Sequence, residues 1–411
     1  LQATAQQQKD NAMADRRSPL FDTHVRMGAQ MSKGGGEYWF PQAYTSPIEE
    51  HVNVRNAVGM QDLTSMGEVD IKGPGAERLL NSLLVNEVRD LEPGQIRYST
   101  MCREDGGIVD DITVYKFNDE HFMVVTSSGP RKRTFRWIAD HAVGAGAYVT
   151  DISGSIALPV VQGQRSRELL LSLVSDADVA GLKFFRFVRA EIEGVPVILS
   201  RSGYTGELGF ELYTPAEEAV TVWESVHRRG KEFGLLPYGV AAMQSLRVEK
   251  ALPLYGKDIT EEVTPFHVGL DKWIRFDKRT FVGRDALLRV QERGLDRRWV
   301  GLVLNHDVTA PVDASVHGIS EVATQSRKKH GGPDAGAAHD PIIPGEQVGQ
   351  VTISVRGHSI GKVIAMAYVS TSHSWPGCKL AVMIAGRPAP AVVVPTPFFD
   401  PAGNRLRAKY G

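Results

Sequence analysis

Cysteine is nearly absent from this sequence. Only Cys102 and Cys378 occur in 411 residues, too few for a disulfide framework or a cysteine-based metal site. Two thiols fit a reducing compartment, where burial as small apolar groups is their ordinary fate. A cytoplasmic protein is therefore expected. No apolar run approaches the roughly 18 residues needed to span a bilayer, so no membrane partner is expected. An excess of charge is missing too. The formal net charge is −1, which gives no general argument for nucleic acid or an anionic surface as partner. No G-x-G-x-x-G joins a strand to a helix. Gly144-Ala145-Gly146 stands without the rest of that pattern, so a dinucleotide-dependent dehydrogenase is not indicated. No Cys/His cluster has metal-ligand spacing, and no metal is expected. His330 and His339 read as solvated loop residues.

What is present is ordinary for a globular chain: 42% hydrophobic and 23% charged residues. The length suggests two or three domains. The first residues, L-Q-A-T-A-Q-Q-Q-K-D-N-A-M, are polar and lack the apolar core of a signal peptide. Met13 fits a native start behind an expression remnant, so residues 1 to about 15 are set aside.

Periodicity and punctuation predict helices over Pro19–Met31 and Ile48–Val58. Thr45 or Ser46 would cap the second, with Pro47 at its first position and Gly59 at its end. A Gly-rich piece, Gly34-Gly35-Gly36, lies between them. A strand follows at Glu68–Ile71, then helix Ala76–Leu84, a strand at Phe122–Thr126 and helix Arg131–His141. An amphipathic helix is predicted over Glu217–Phe233, and a second helix over about Gly239–Lys250. Residues 261–280 read as a linker into a C-terminal β domain. Its strands are Trp299–Leu304, Gln347–Val355, Gly361–Val369, Lys379–Ile384 and Ala389–Val394, spaced as in a sandwich or barrel. A polar insert, about 305–344, separates the first two.

Two stretches carry candidate chemistry. The first is R-S-G-Y-T-G-E-L-G-F-E-L-Y, residues 201–213, with glycines at 203, 206 and 209. Alternation puts Phe210 and Leu212 on one face and Glu211 and Tyr213 on the other. A carboxylate held there can accept two parallel N–H bonds, from a guanidinium or an amino-pyrimidine edge. The same residues also fit a plain hairpin with a solvated glutamate. The second stretch is E-D-G-G-I-V-D-D-I-T-V-Y, residues 104–115. Asp105-Gly106-Gly107 is a hairpin turn signal. The strand after it sorts Asp110 and Asp111 onto opposite faces. Asp111 shares its more polar face with Thr113 and Tyr115, and is the better candidate to look into a cleft. A turn-flanking acidic pair is the alternative.

These two stretches resemble the glycine-rich signature and the G-G-I-x-D-D block of the aminomethyltransferase family. That family comprises the tetrahydrofolate-binding T-protein of glycine cleavage, folate-dependent demethylases, and the folate modules of sarcosine and dimethylglycine dehydrogenases. Further blocks resemble it in order: Thr64-Ser65-Met66-Gly67-Glu68, V-Q-G-Q from Val161, Phe184-Phe185, A-A-M-Q-S-L-R-V-E-K from Ala241, Leu252–Gly256 and Phe281–Leu287. The likeness runs from about residue 18 to 407. The chain departs from the family at Ser65, where histidine is usual. It departs again at Gln164, where the family has proline, and at Met243 and Gln244, where it has arginine and aspartate.

The resemblance implies an α+β, three-domain cloverleaf around a central folate channel. A split folate-binding domain would take 16–64 and 152–260. An inserted α+β domain would take 65–151, and a barrel or jelly-roll-like β domain 281–411. It implies tetrahydrofolate as cofactor, with Glu211 pinning the pterin ring. Tyr98, Tyr115, Tyr204 and Phe184 would wall the ring, with Met66 and Tyr255 beside it. Asp111 becomes the catalytic residue near the folate nitrogen that accepts the carbon, stabilising positive charge there or taking a proton. The expected activity is transfer of a methyl or methylene unit from a small N-, O- or S-substituted donor to tetrahydrofolate, as in a divergent demethylase. Ser65, Thr126, Met243 and the insert lean that way. The alternatives are the T-protein itself, with a lipoyl carrier protein as partner, and a non-enzymatic folate-binding scaffold.

Overall fold

In the computed structural model, residues 16–34, 38–319 and 343–408 are described. Gly35, Gly36, His330, His339 and most of the expected insert lie outside them. The chain divides into two units. One holds the described residues up to 101, then 110–243 and 403–408. The other holds 102–109 and 244–402.

Alternation builds the first unit. Its five-stranded sheet runs Ile96–Cys102, Ile108–Asn118, His121–Thr126, Gly67–Lys72, Tyr148–Asp151. Register aligns Val114 with Val124, and Val124 with Val69. These three are buried on the face where Asp110 meets Thr134 of the helix Arg131–Ala142. The opposite face carries the rows Thr113–Val125–Glu68 and Tyr115–Met123–Asp70. There Tyr115, Met123 and Val125 pack with Leu158, Val160, Phe187 and Tyr213.

Those partners come from the neighbourhood of a seven-stranded sheet. Its order is Phe187–Ile192, Val195–Ser200, Gly209–Pro215, Pro159–Gln162, Val58–Asp62, Leu235–Pro237, with Ile156–Ala157 added beside Gly209–Pro215. Phe210 and Leu212 face away from the first sheet, into a core with Met60, Val161 and Trp223. Both are fully buried, which contributes roughly 1.5–3 kcal/mol each. Trp223 sits on the helix Ala219–Gly230, flanked by 3-10 turns at Ala216–Glu218 and Lys231–Phe233, so the long helix expected there has tightened ends.

Near the start, the sequence expectation needs correction. The helix covers only Phe21–Arg26 and gives way to a strand at Gln30–Lys33. Gly28, at φ 79°, makes the break, because a positive φ ends a right-handed helix. The next helix is Pro47–Asn56, and Ser46 Oγ accepts the Glu49 N–H at 3.2 Å as its cap. Gly59 does not end it. Gly59 lies within the strand Val58–Asp62, where a Cβ would come within 2.5 Å of Val54 Cγ2 and 2.7 Å of Tyr238 Cδ1. Close packing, not capping, excludes a side chain there.

The second unit is built on a closed six-stranded barrel. The order is Arg297–Leu304, Lys362–Ser370, Pro344–Gly357, Ser315–Ile319, Lys379–Ile384, Arg387–Val394, and the last pairs back with the first. Leu302, Val316, Val351, Ala365, Val382 and Val393 fill it. Five strands match the expectation. The sixth, Ser315–Ile319, lies inside the stretch read as insert. The helix Arg284–Arg293 was not expected, and residues 261–280 carry one helical turn, Asp271–Trp273. Among the described residues no helix is long and apolar enough to cross a membrane.

Candidate functional site

The strand Gly209–Pro215 carries the first half of the site. Glu211 is half-buried and points to the interlayer face. Tyr115 donates to its Oε2 at 3.0 Å, Tyr213 at 2.8 Å and Ser200 at 3.3 Å. All hydrogen bonds accepted by Glu211 among the described residues converge on Oε2. Burial and the Glu211 charge push the Tyr115 and Tyr213 phenols well above their ordinary range, so both stay protonated donors. Tyr115 and Tyr213 also meet edge to face, with centroids 5.3 Å apart.

The loop that delivers Glu211 is not a plain turn. Gln162, fully buried, reaches into it. Its Nε2 donates to the Ser202 carbonyl at 3.2 Å, and its Oε1 accepts from Thr205 at 2.9 Å. A Cβ on Gly203 or Gly209 would come within 2.0 or 2.3 Å of that amide. Two of the three glycines are thus demanded by a side chain some 40 residues earlier. Glu207 does not face the site. It is buried and bound by Arg55 at 2.9 Å and Arg405 at 2.8 Å.

The five-stranded sheet supplies the second half. Asp111 is half-buried on the same face as Tyr115. Tyr98 donates to its Oδ2 at 3.0 Å and the Ser127 hydroxyl to its Oδ1 at 3.2 Å. Burial and Asp111 together push the Tyr98 phenol well up, and Tyr204 lies close enough to add to the shift. Asp110 turns the other way and is fully buried, taking Thr134 Oγ1 at 2.8 Å and the Ser127 N–H at 3.2 Å. Burial first, and Asp111 second, push its carboxyl well above the usual range.

The structure thus gathers Asp111, Tyr98 and Tyr204 around one carboxylate, and Glu211 and Tyr115 around the other. Met66 packs on the same interlayer cluster as Tyr115. Phe184 stacks on Phe185 at 4.2 Å, and Phe185 joins that cluster. Tyr255 belongs to the second unit and donates to the Ile108 carbonyl at 3.2 Å. Tyr213, Ser200 and Ser127 were not singled out from sequence. Tyr213 had a signal, its shared face with Glu211. The two serines had none, because strand register alone brings them in.

Two facing sheets hold a pair of phenol-braced carboxylates, and a six-stranded barrel follows them in the chain. Comparison with known proteins specifies the family. Residues 20–278 match the family model described as the GCVT N-terminal domain. Residues 327–400 match the glycine cleavage T-protein C-terminal barrel domain. An aminomethyltransferase of Streptomyces coelicolor is 37% identical over 387 residues, covering 93% of this chain and 97% of that protein. One from Moorella thermoacetica is 36% identical, covering 94% and 99%. The crystal structure of glycine cleavage system aminomethyltransferase T from Bartonella henselae superposes with a TM-score of 0.82 at 25% identity, covering 94% of this chain and 99% of that one. The chain belongs to the glycine cleavage T-protein family and has its α+β and barrel fold. It is accordingly a one-carbon transferase, and the acceptor used by the family is tetrahydrofolate.

Proposed function

We propose that this protein is an aminomethyltransferase of the glycine cleavage type, moving a one-carbon unit from an aminomethylated lipoyl carrier protein to tetrahydrofolate and releasing ammonia. The names of its relatives favour this over demethylation of a small donor, the reading to which Ser65 and Met243 lean. The observation that carries it is the pairing of two half-buried carboxylates, Glu211 and Asp111, each braced by tyrosine hydroxyls on one interlayer face.

That arrangement suits the acceptor. With all its protein bonds on Oε2, Glu211 keeps Oε1 to accept a ring N–H, a charge-assisted bond that orients a flat heterocycle. Tyr98, Tyr204 and Phe184 offer faces to the ring, and Met66 a polarisable edge. Tetrahydrofolate, when bound, supplies the nucleophilic nitrogen that accepts the carbon. Asp111 is held by Tyr98 and Ser127 in a single orientation. From there it balances positive charge at the reacting nitrogen or takes up its proton. We further propose that the seven-stranded sheet marks a split folate-binding domain, 16–64 and 152–260. The five-stranded sheet then marks the domain inserted at 65–151.

The test supplies the protein with tetrahydrofolate and either an aminomethyl-lipoyl carrier protein or small methylated amines. Folate-dependent ammonia release from the carrier supports the reading. Folate methylation from a small amine without a carrier replaces it with demethylation. Folate binding with neither reaction makes the protein a scaffold.

A further inference from the structure

Residues 403–408 form neither helix nor strand, yet they belong to the first unit and not to the unit that precedes them in the chain. They join it at the loop that delivers Glu211. Arg405 Nε donates to both oxygens of Glu207, at 2.8 and 2.9 Å. Its Nη2 donates to the Arg55 carbonyl. Gln164 Nε2 donates to Glu207 Oε2 and, at 3.3 Å, to the Arg405 carbonyl. Arg201, at the start of the loop, donates to the carbonyls of Leu406 and Ala408 at 3.4 and 2.9 Å. The segment thus grips the loop near both its ends.

The loop depends on such a hold. Residues 201–208 lie between the strands Val195–Ser200 and Gly209–Pro215, so no ladder fixes their backbone, and its polar groups must find other partners. Side chains supply them. Gln162 donates to the Ser202 carbonyl at 3.2 Å and Arg55 to the Thr205 carbonyl at 2.9 Å, while the Thr205 hydroxyl accepts the Glu207 N–H at 3.2 Å. Glu207 is the joint of this network, fully buried and placed in the chain between Tyr204 and Glu211. A buried carboxylate persists where its charge is paired and its lone pairs are filled. Arg55 meets Oε1. Arg405 spans both oxygens and fixes the direction of the carboxylate as well as balancing its charge.

We propose that Arg405 is a positioning residue for the acceptor site. Acting through Glu207, it holds the loop so that Tyr204 and Glu211 meet the folate ring in one arrangement. The inference rests on the folate reading. A loop ordered before the ligand arrives spares binding the entropy of ordering it. Released from Arg405, the loop samples other arrangements, and affinity falls with the fraction that remains competent. The Arg405 side chain is 32% exposed, so its removal lets water in beside Glu207 and leaves no sealed void. Arg55 stays in place to pair the buried charge.

The test is calorimetric titration of tetrahydrofolate into wild type, Arg405→Ala and Arg405→Lys, beside amide hydrogen exchange over residues 202–208. Arg405→Ala should weaken binding about tenfold and speed exchange in the loop but not in the barrel. Arg405→Lys keeps the charge without the guanidinium's spread of donors and should recover part of the affinity. Millimolar guanidinium should restore Arg405→Ala and leave wild type unchanged, because it refills the place beside Glu207. A fold defect alone lowers the number of binding sites per chain, not the affinity of those left, and speeds exchange throughout. That pattern, or unchanged affinity in a folded Arg405→Ala, overturns the inference alone. A wild type that does not bind tetrahydrofolate overturns the functional reading, and the inference with it.

Discussion

Asp110 and Asp111 are chain neighbours that Ser127 ties together from opposite faces of one strand. The Ser127 N–H donates to Asp110 Oδ2 and its hydroxyl to Asp111 Oδ1, each at 3.2 Å. One aspartate is thereby committed to the buried helix face and the other to the interlayer face. Asp111→Asn keeps the size and loses the charge. It should still bind tetrahydrofolate but transfer one-carbon units about 10²–10⁴-fold more slowly. Single-turnover ammonia release beside a binding titration checks the split. Equal losses in both would make Asp111 a binding residue.

Gly209 is held by Gln162 in the same way that a keyhole is held by its key. A methyl group at 209 would overlap the Gln162 amide, which is itself fully buried. Overpacking of this kind costs about 1–3 kcal/mol. Gly209→Ala should lower the unfolding free energy by that amount, measured by urea denaturation. In Gly209→Ala with Gln162→Ala the combined loss should be smaller than the sum of the two single losses, because each change relieves the other. Strict additivity would show that the glycine answers to something else.

The period-two pattern made both functional strands legible. I-V-D-D-I-T-V-Y and F-E-L-Y each sort into faces, and the faces seen are the ones alternation predicts. What alternation cannot carry is register. Ser200 reaches Glu211, and Ser127 reaches Asp111, only because particular strands lie side by side. Glu68 was hidden for a related reason. Its strand alternates like a half-exposed one, yet the residue is 1% exposed. The glycines of 201–209 advertised a turn, while their cause, Gln162, lies in another strand. The barrel strand Ser315–Ile319 is short, contains His317 and Gly318, and sits among polar residues. Its local signal was weak, and its stability comes from two neighbours distant in sequence.

That strand is itself testable. Val316 is fully buried and pairs with Gly349 on one side and Val382 on the other. Truncation to alanine removes apolar contacts in the barrel and leaves a cavity. Val316→Ala should cost about 1–3 kcal/mol in denaturant unfolding. Residues in a solvated insert would give a change within about 0.5 kcal/mol.

Asp62 gives the fold a pH dependence with a definite sign. Burial raises its pKa, but the hydrogen bond and charge of His24 and the hydroxyls of Ser18 and Thr64 outweigh burial and hold it below the ordinary value. His24 Nε2 is 3.0 Å and Ser18 Oγ 2.6 Å from Oδ2. A carboxyl with a depressed folded-state pKa binds its proton more tightly when unfolded. Its contribution to stability is therefore complete above the unfolded value of about 3.9 and is lost as pH falls through the folded one. Asp62→Asn should destabilise the protein at neutral pH, as removal of a buried partner does. The gap between wild type and variant should stay constant from pH 8 to about 5 and narrow as pH falls further. Denaturant midpoints measured across that range decide the matter. A gap that does not narrow toward acid would show that the Asp62 carboxylate is not the source of the pH dependence.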